Sequence, residues 1–302
     1  MALREAATLR AHKGCVNAVK FNADGQYCMT AGDDRRVLLW NPYRDPAELS
    51  PIKEYCAHNH RVLDIALAAG NASFASCGGD RAVFLWDVAS GAVSRRLQAH
   101  EQRVNAVAFN DDCSVLLSAS YDKTVRCWDM RSRSVHPVQS LGEAADSVSA
   151  VASAGHFIYS SSIDGCVRTY DLRQGALSVD SFGLPVTHLA LSHDGNCLLA
   201  ATLDSTLRLL DKANGQMLTE YSGHRNESYK LSACFSHDDA YTVGGSEDGS
   251  VHVWDLVDAK RVLRLTGHRQ PVCGIACHPK RFELLTCSHD GTAKLWRGKS
   301  AT

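Results

Sequence analysis

The chain has 302 residues, 45% of them apolar and 22% charged, with a formal net charge of −1 at neutral pH. That balance is ordinary for a folded, water-facing protein and argues against the broadly cationic surface that draws proteins to nucleic acid or anionic membranes. No apolar run approaches the roughly 18–20 residues a helix needs to span a bilayer. Residues 1–12 carry Arg4, Glu5 and Arg10 without an apolar core, unlike a secretory leader. The expectation is an intracellular protein, cytoplasmic, nuclear or both, with no membrane contact.

Residues 3–10 read as a strand ahead of His12, and seven similar units follow. Each contains an aspartate six residues before a fixed position: Asp34 and Trp40, Asp80 and Trp86, Asp122 and Trp128, Asp164 and Tyr170, Asp204 and Leu210, Asp248 and Trp254, Asp290 and Trp296. The steps between aspartates are 46, 42, 42, 40, 44 and 42 residues, and all five tryptophans fall in this register. The third unit shows the grammar. Val104-Asn105-Ala106-Val107-Ala108-Phe109 alternates as a strand does, Asn110-Asp111-Asp112 turns, and Val115-Leu116-Leu117-Ser118-Ala119-Ser120 is the next strand. Tyr121-Asp122-Lys123 then turns into Thr124-Val125-Arg126-Cys127-Trp128, with an outer strand at Val138-Gln139-Ser140-Leu141. Sustained helical periodicity is absent, so the fold class is all-β.

A period near 42 that closes on Trp-Asp resembles the WD-repeat proteins, in which each repeat builds one four-stranded blade. The resemblance implies a single seven-bladed β-propeller over residues 1–302. After Trp296 six residues remain, too few for an outer strand, whereas residues 3–10 stand before His12 as residues 93–98 stand before His100. The N-terminal strand is therefore expected to complete the seventh blade, close the ring and leave no edge open.

Histidines precede the first strand in five repeats: His12, His58, His100, His224 and His268. The WD-repeat resemblance implies that the histidine, a strand Ser or Thr, the turn Asp and the Trp indole N–H form one hydrogen-bonded chain. Such a chain spares partly buried polar groups the cost of going unpaired. Complete sets read as His12–Thr30–Asp34–Trp40, His58–Ser76–Asp80–Trp86, His100–Ser118–Asp122–Trp128 and His268–Thr286–Asp290–Trp296. The sixth repeat keeps His224, Asp248 and Trp254 but has Gly244 at the Ser/Thr place. The fourth and fifth keep Asp164 and Asp204, lack the histidine, and replace tryptophan by Tyr170 and Leu210. Those two blades are expected to be held more by apolar packing than by the polar network and to be the least rigid of the ring.

Insertions in repeat proteins fall in loops that often meet partners. Residues 41–51 lengthen a loop opposite the histidines and residues 223–230 lengthen one beside them; for both, a solvated loop serves as well as a contact site. The residues just before the repeat aspartates sit at the channel mouth on the histidine face. Three of them, Tyr121, Ile163 and Leu203, are apolar and fall on consecutive blades, with Arg61 and Arg103 expected at the rim. They mark a candidate protein-binding patch, unless they fold down over the channel. On the other face, Trp128-Asp129-Met130-Arg131 and Tyr170-Asp171-Leu172-Arg173 resemble the motif with which some WD-repeat proteins dock on the adaptor of cullin-type ubiquitin ligases. Leu117 and Tyr159 depart from that motif's small residue, and a solvated turn accounts for both arginines as well.

The twelve cysteines recur at strand positions, as Cys77 and Cys287 do three residues before an aspartate, and read as buried thiols. Their closest pair, Cys273 and Cys277, lacks zinc-ligand spacing. Ser192-His193-Asp194 and Ser236-His237-Asp238 are consecutive turn residues, whereas a triad needs side chains that converge in space. Glycine-rich phosphate loops and nucleophile elbows are also absent. No catalysis, cofactor or metal is expected.

Several stretches are similar to one family, the mitogen-activated protein kinase organizer WD-repeat proteins. They are Leu39-Trp40-Asn41-Pro42, Val62-Leu63-Asp64, Trp86-Asp87-Val88-Ala89-Ser90-Gly91, and Arg126-Cys127-Trp128-Asp129 with Arg131-Ser132-Arg133. Leu203-Asp204-Ser205-Thr206-Leu207-Arg208-Leu209-Leu210-Asp211-Lys212 in the irregular fifth repeat, Tyr229-Lys230-Leu231 and Trp254-Asp255-Leu256-Val257 complete them. The resemblance implies a scaffold that gathers kinase-cascade components and also accompanies the splicing machinery. Its partners would be other proteins, met by a monomer within larger complexes without direct nucleic-acid contact. A ubiquitin-ligase substrate receptor is the alternative.

Overall fold

The computed structural model describes residues 3–98 and 100–298. The alternating runs form strands and their Asp-, Asn- and Gly-bearing junctions form turns, giving seven four-stranded antiparallel sheets and one short 3-10 turn, Pro46–Glu48. The fold is a seven-bladed β-propeller. Blade one takes Val16–Phe21, Cys28–Gly32, Arg36–Trp40 and Lys53–Cys56 from inside outwards, and blades two to six repeat this order with consecutive strands. Blade seven takes Val272–Cys277, Glu283–Ser288 and Ala293–Gly298 from the end of the chain and Leu3–Leu9 from its start.

That last pairing runs from Leu3 opposite Gly298 to Leu9 opposite Ala293. Leu3, Ala7 and Leu9 are buried, and Lys294 Nζ meets Glu5 Oε2 at 2.7 Å. The apolar residues of this strand thus replace solvent on an edge that would otherwise be open. The inner strands lie each against the next, and Val272–Cys277 lies against Val16–Phe21, so the ring closes.

The core is a set of apolar layers between blades. Leu9, Val16, Trp40, Leu285 and Leu295 share the layer between blades seven and one, and all five tryptophans are buried. A bulge recurs near the start of the inner strand in every blade but the sixth, as between Val16 and Ala18. A bulge leaves one residue out of the ladder and re-aims its side chain. Here several of those residues reach the next blade: Asn17 Nδ2 donates to Val62 O at 2.8 Å, Asn105 Nδ2 to Val148 O at 2.8 Å and Ser149 Oγ to Val186 O at 2.6 Å. Cys273 Sγ donates to Val16 O across the closing seam. Residues 41–51 fold back on blade seven, with Tyr43 Oη donating to Glu283 Oε2 at 2.9 Å, and so are no free loop.

Candidate protein-interaction face

Two loops per blade meet on one face of the ring: the segment entering the inner strand and the turn between the second and third strands. In blade one His12 Nδ1 lies 2.9 Å from Asp34 Oδ1 and Nε2 lies 2.8 Å from Thr30 Oγ1, which also accepts from Trp40 Nε1 at 2.9 Å. The corresponding distances are 2.8, 2.6 and 2.8 Å in blade two (His58, Asp80, Ser76, Trp86) and 2.9, 2.7 and 2.9 Å in blade three (His100, Asp122, Ser118, Trp128). In blade seven they are 3.0, 2.8 and 2.8 Å (His268, Asp290, Thr286, Trp296). Each aspartate also accepts the N–H of the residue after its histidine: Lys13, Asn59, Glu101 or Arg269. Burial alone would raise the Asp122 pKa, but His100, Thr124 and the Glu101 N–H outweigh it and hold the carboxyl well below the usual range. Both loops of a blade are thereby pinned together.

Blade six departs from the expected chain. Its Trp254 indole donates to Ser222 O at 3.0 Å, and neither nitrogen of His224 has a partner among the described residues. The reason is geometric. His224 stands two residues further from its aspartate than the other histidines do, and Gly244 offers no hydroxyl. A Cβ at 244 would lie 2.9 Å from Leu207 Cδ1 and 3.2 Å from the Trp254 ring. The longer loop is organised instead by Glu247, whose Oε1 accepts the N–H groups of Glu227, Ser228 and Tyr229 at 2.8, 2.6 and 3.1 Å. Asp248 Oδ1 accepts from Ser250, and its Oδ2 pairs with Arg264 at 2.8 Å.

Blades four and five hold their aspartates with arginines, a polar contact that the expectation of blades held more by apolar packing than by the polar network did not include. Arg168 meets Asp164 at 2.7 Å and Arg208 meets Asp204 at 2.6 Å. Tyr170 Oη donates to Glu143 Oε2 at 3.1 Å. Without these cations each partly buried carboxylate would lack a counter-charge. The signal was in the sequence, an arginine four residues after each aspartate.

The turn residues around the channel mouth are tied to the neighbouring loops by backbone bonds, Tyr121 N to Arg103 O at 3.0 Å, Ile163 N to Ser147 O at 3.0 Å and Leu203 N to Pro185 O at 3.1 Å. Tyr121 is 42% exposed, with the Arg103 guanidinium 4.6 Å from its ring centre, whereas Ile163 and Leu203 are half-buried. Arg61 and Arg103 are exposed and line a channel of about 770 Å³. On the opposite face Arg131 and Arg173 are exposed, Arg131 within 3.2 Å of Asp112.

Lys230, at the end of the longer loop, crosses the channel. Its Nζ donates to Asn105 O in blade three at 2.9 Å and to Ser149 O in blade four at 2.8 Å. Burial lowers its pKa. No short-range pattern announces this contact; the only hint was the 44-residue step.

The two Ser-His-Asp segments are turns. Ser192 Oγ donates to Asp194 Oδ1 at 2.6 Å, while His193 turns away to Asp239 at 3.1 Å. All twelve cysteines are free, and burial pushes the Cys127 thiol up to about 11. Among the described residues no cluster of three or more His, Cys, Asp or Glu is placed to hold a metal, and no helix is long and apolar enough to cross a membrane.

The ring, its repeated polar chains and its loop-built face define a propeller of the WD-repeat class. The model of the WD domain, G-beta repeat, matches residues 4–41, 49–87, 91–129, 178–211, 215–255 and 259–297, and the chain belongs to that family. It is 48% identical over 290 residues to human WD repeat domain-containing protein 83, covering 96% of this chain and 90% of the relative. The zebrafish protein of that name is 45% identical over 289 residues, with 96% and 90% covered. The Dictyostelium discoideum homolog is 32% identical over 314 residues, with 94% and 95% covered.

Proposed function

We propose that this protein is a non-catalytic scaffold that assembles multiprotein complexes through its histidine face. The observation that carries the reading is Tyr121, an exposed aromatic beside a channel rim in loops otherwise pinned by hydrogen bonds. Rigid loops lose little freedom on binding, and aromatic and arginine side chains anchor most interfaces. Ile163, Leu203, Arg61 and Arg103 extend the patch around the mouth. The resemblance to the kinase-organizer family supports complexes of a mitogen-activated protein kinase cascade, of the pre-mRNA splicing machinery, or both, in cytoplasm and nucleus. Affinity purification with mass spectrometry, comparing wild type with Tyr121→Ala/Leu203→Glu, tests it. Kinase or splicing components should be recovered with wild type and lost with the variant; equal recovery with both overturns the assignment of this face.

A second reading rests on the exposure of Arg131 and Arg173 after Trp128-Asp129 and Tyr170-Asp171. It makes the protein a ubiquitin-ligase substrate receptor. Pull-down of the ligase adaptor that survives charge reversal at both arginines, or never occurs, rules it out.

A further inference from the structure

Most partly buried arginines of this ring already hold a carboxylate: Arg36 pairs with Asp34, Arg168 with Asp164 and Arg208 with Asp204. Several exposed cations of the histidine face do not follow that rule. Arg61, Arg81, Arg103 and Lys123 stand in the histidine-face loops of blades two and three, and among the described residues none has a carboxylate within ion-pair distance. Arg81 Nη1 donates to Glu101 O at 3.2 Å and Lys123 Nζ to Ala145 O at 2.8 Å. Each of these two cations is thus held at the boundary with the next blade by a neutral carbonyl. The repeat aspartates of these blades do not neutralise them, because Asp80 and Asp122 are turned inward to His58 and His100. The nearby carboxylates are exposed Asp33, Glu101 and Asp146 and half-buried Asp64 on the channel wall, none within ion-pair distance of the four cations. Among the described residues the four cations are thus left without ion-pair partners.

These cations adjoin apolar surface in a fixed order. Going around the mouth, the cations of blades two and three are followed by Tyr121 and then by Ile163 and Leu203 on blades four and five. Lys230 lies across the channel from blade six to blades three and four, so a ligand at the mouth rests over an ammonium and does not thread the ring.

We propose that this mouth receives an extended acidic peptide segment bearing one bulky apolar side chain, its carboxylates over Arg61 and Arg103 and its apolar group against Tyr121 and Leu203. The proposal rests on the reading of the histidine face as protein-binding and names the partner's chemistry. Unpaired cations beside an apolar step complement such a segment in charge and in polarity. Single-stranded RNA is the poorer fit. It needs a basic track with free aromatic faces for base stacking, and here one face of Tyr121 is taken by Arg103.

The test is fluorescence anisotropy with three labelled probes: a short Asp/Glu peptide with a single central leucine, the same peptide with lysines for its acids, and an oligouridine. The acidic peptide should bind most tightly, with an affinity that falls as salt rises. Arg61→Glu/Arg103→Glu should weaken it about tenfold or more, Arg61→Gln/Arg103→Gln by less, and Arg131→Glu/Arg173→Glu on the far face not at all. Unchanged melting temperatures confirm that the variants fold. Tighter binding of oligouridine, absence of peptide binding, or peptide binding indifferent to charge reversal overturns the proposal. If the purification comparison still succeeds when the acidic peptide fails, only the partner's chemistry is wrong; if complexes survive Tyr121→Ala/Leu203→Glu, the face itself was misassigned.

Discussion

The ammonium of Lys230 in blade six and the carbonyl oxygen of Asn105 in blade three lie 2.9 Å apart across the central channel. With the bond to Ser149 O at 2.8 Å, one side chain joins three blades that share no sheet. Lys230→Met keeps the stem and removes the charge, leaving two carbonyls to find other donors. The expected loss is about 1–3 kcal/mol, seen as a fall of several degrees in melting temperature by differential scanning fluorimetry. A melting temperature equal to wild type would show that water substitutes for the ammonium.

The histidines differ in what they hold. His100 engages Asp122 and Ser118, whereas neither nitrogen of His224 is engaged among the described residues. His100→Leu should cost about 1–3 kcal/mol by removing the imidazole from Asp122 Oδ2 and Ser118 Oγ. His224→Leu should change stability by less than about 1 kcal/mol. Urea denaturation of both variants measures the contrast, and equal losses would contradict the geometry.

Acid should act on blade six before it acts on the aspartates. Burial, followed by their mutual repulsion for His224 and by Arg261 for His252, lowers both pKa values from 6.5 to about 4. Between those values the unfolded chain binds protons that the folded blade does not, so stability falls as pH drops through the window. His268 and the other histidines with lowered pKa add to the same slope. The repeat carboxylates, depressed below 3.8, contribute their losses only at lower pH. Denaturant midpoints measured from pH 7 to pH 4 should decline, and less steeply in His224→Leu.

Removing residues 1–10 should expose the edge formed by Ala293–Gly298 and strand the apolar residues that Leu3, Ala7 and Leu9 cover. The two leucines alone account for about 3–6 kcal/mol of burial. A sharp fall in melting temperature, with association at higher protein concentration, is the expected result in calorimetry and light scattering. An unchanged melt would mean that the seventh blade stands without its outer strand.

Blade four shows how deeply the fold was written in local pattern. The family model leaves residues 130–177 unmatched, and this repeat has no tryptophan and no histidine before its inner strand. Val148–Ala154, Phe157–Ser162, Cys166–Asp171 and Ala176–Ser181 nevertheless pair as a sheet. Two-residue alternation and a turn aspartate suffice to make strands and turns, since both act within a few residues. The outward-turned residues at the mouth were likewise readable as positions, being one step before each aspartate. Their exposure was not. Tyr121 stands out while Ile163 and Leu203 sink partway, because burial depends on which neighbouring loops arrive.

By itself, then, the sequence determined the number of blades, the order of strands and the sites of the turn aspartates, all set by short-range alternation and spacing. Tertiary structure alone decided which charges meet. Lys230 finds carbonyls 125 and 81 residues away, and Lys294 meets Glu5 across 289 residues. Those contacts are made by the closure of a ring, which brings distant loops to one mouth and leaves no trace in any single repeat.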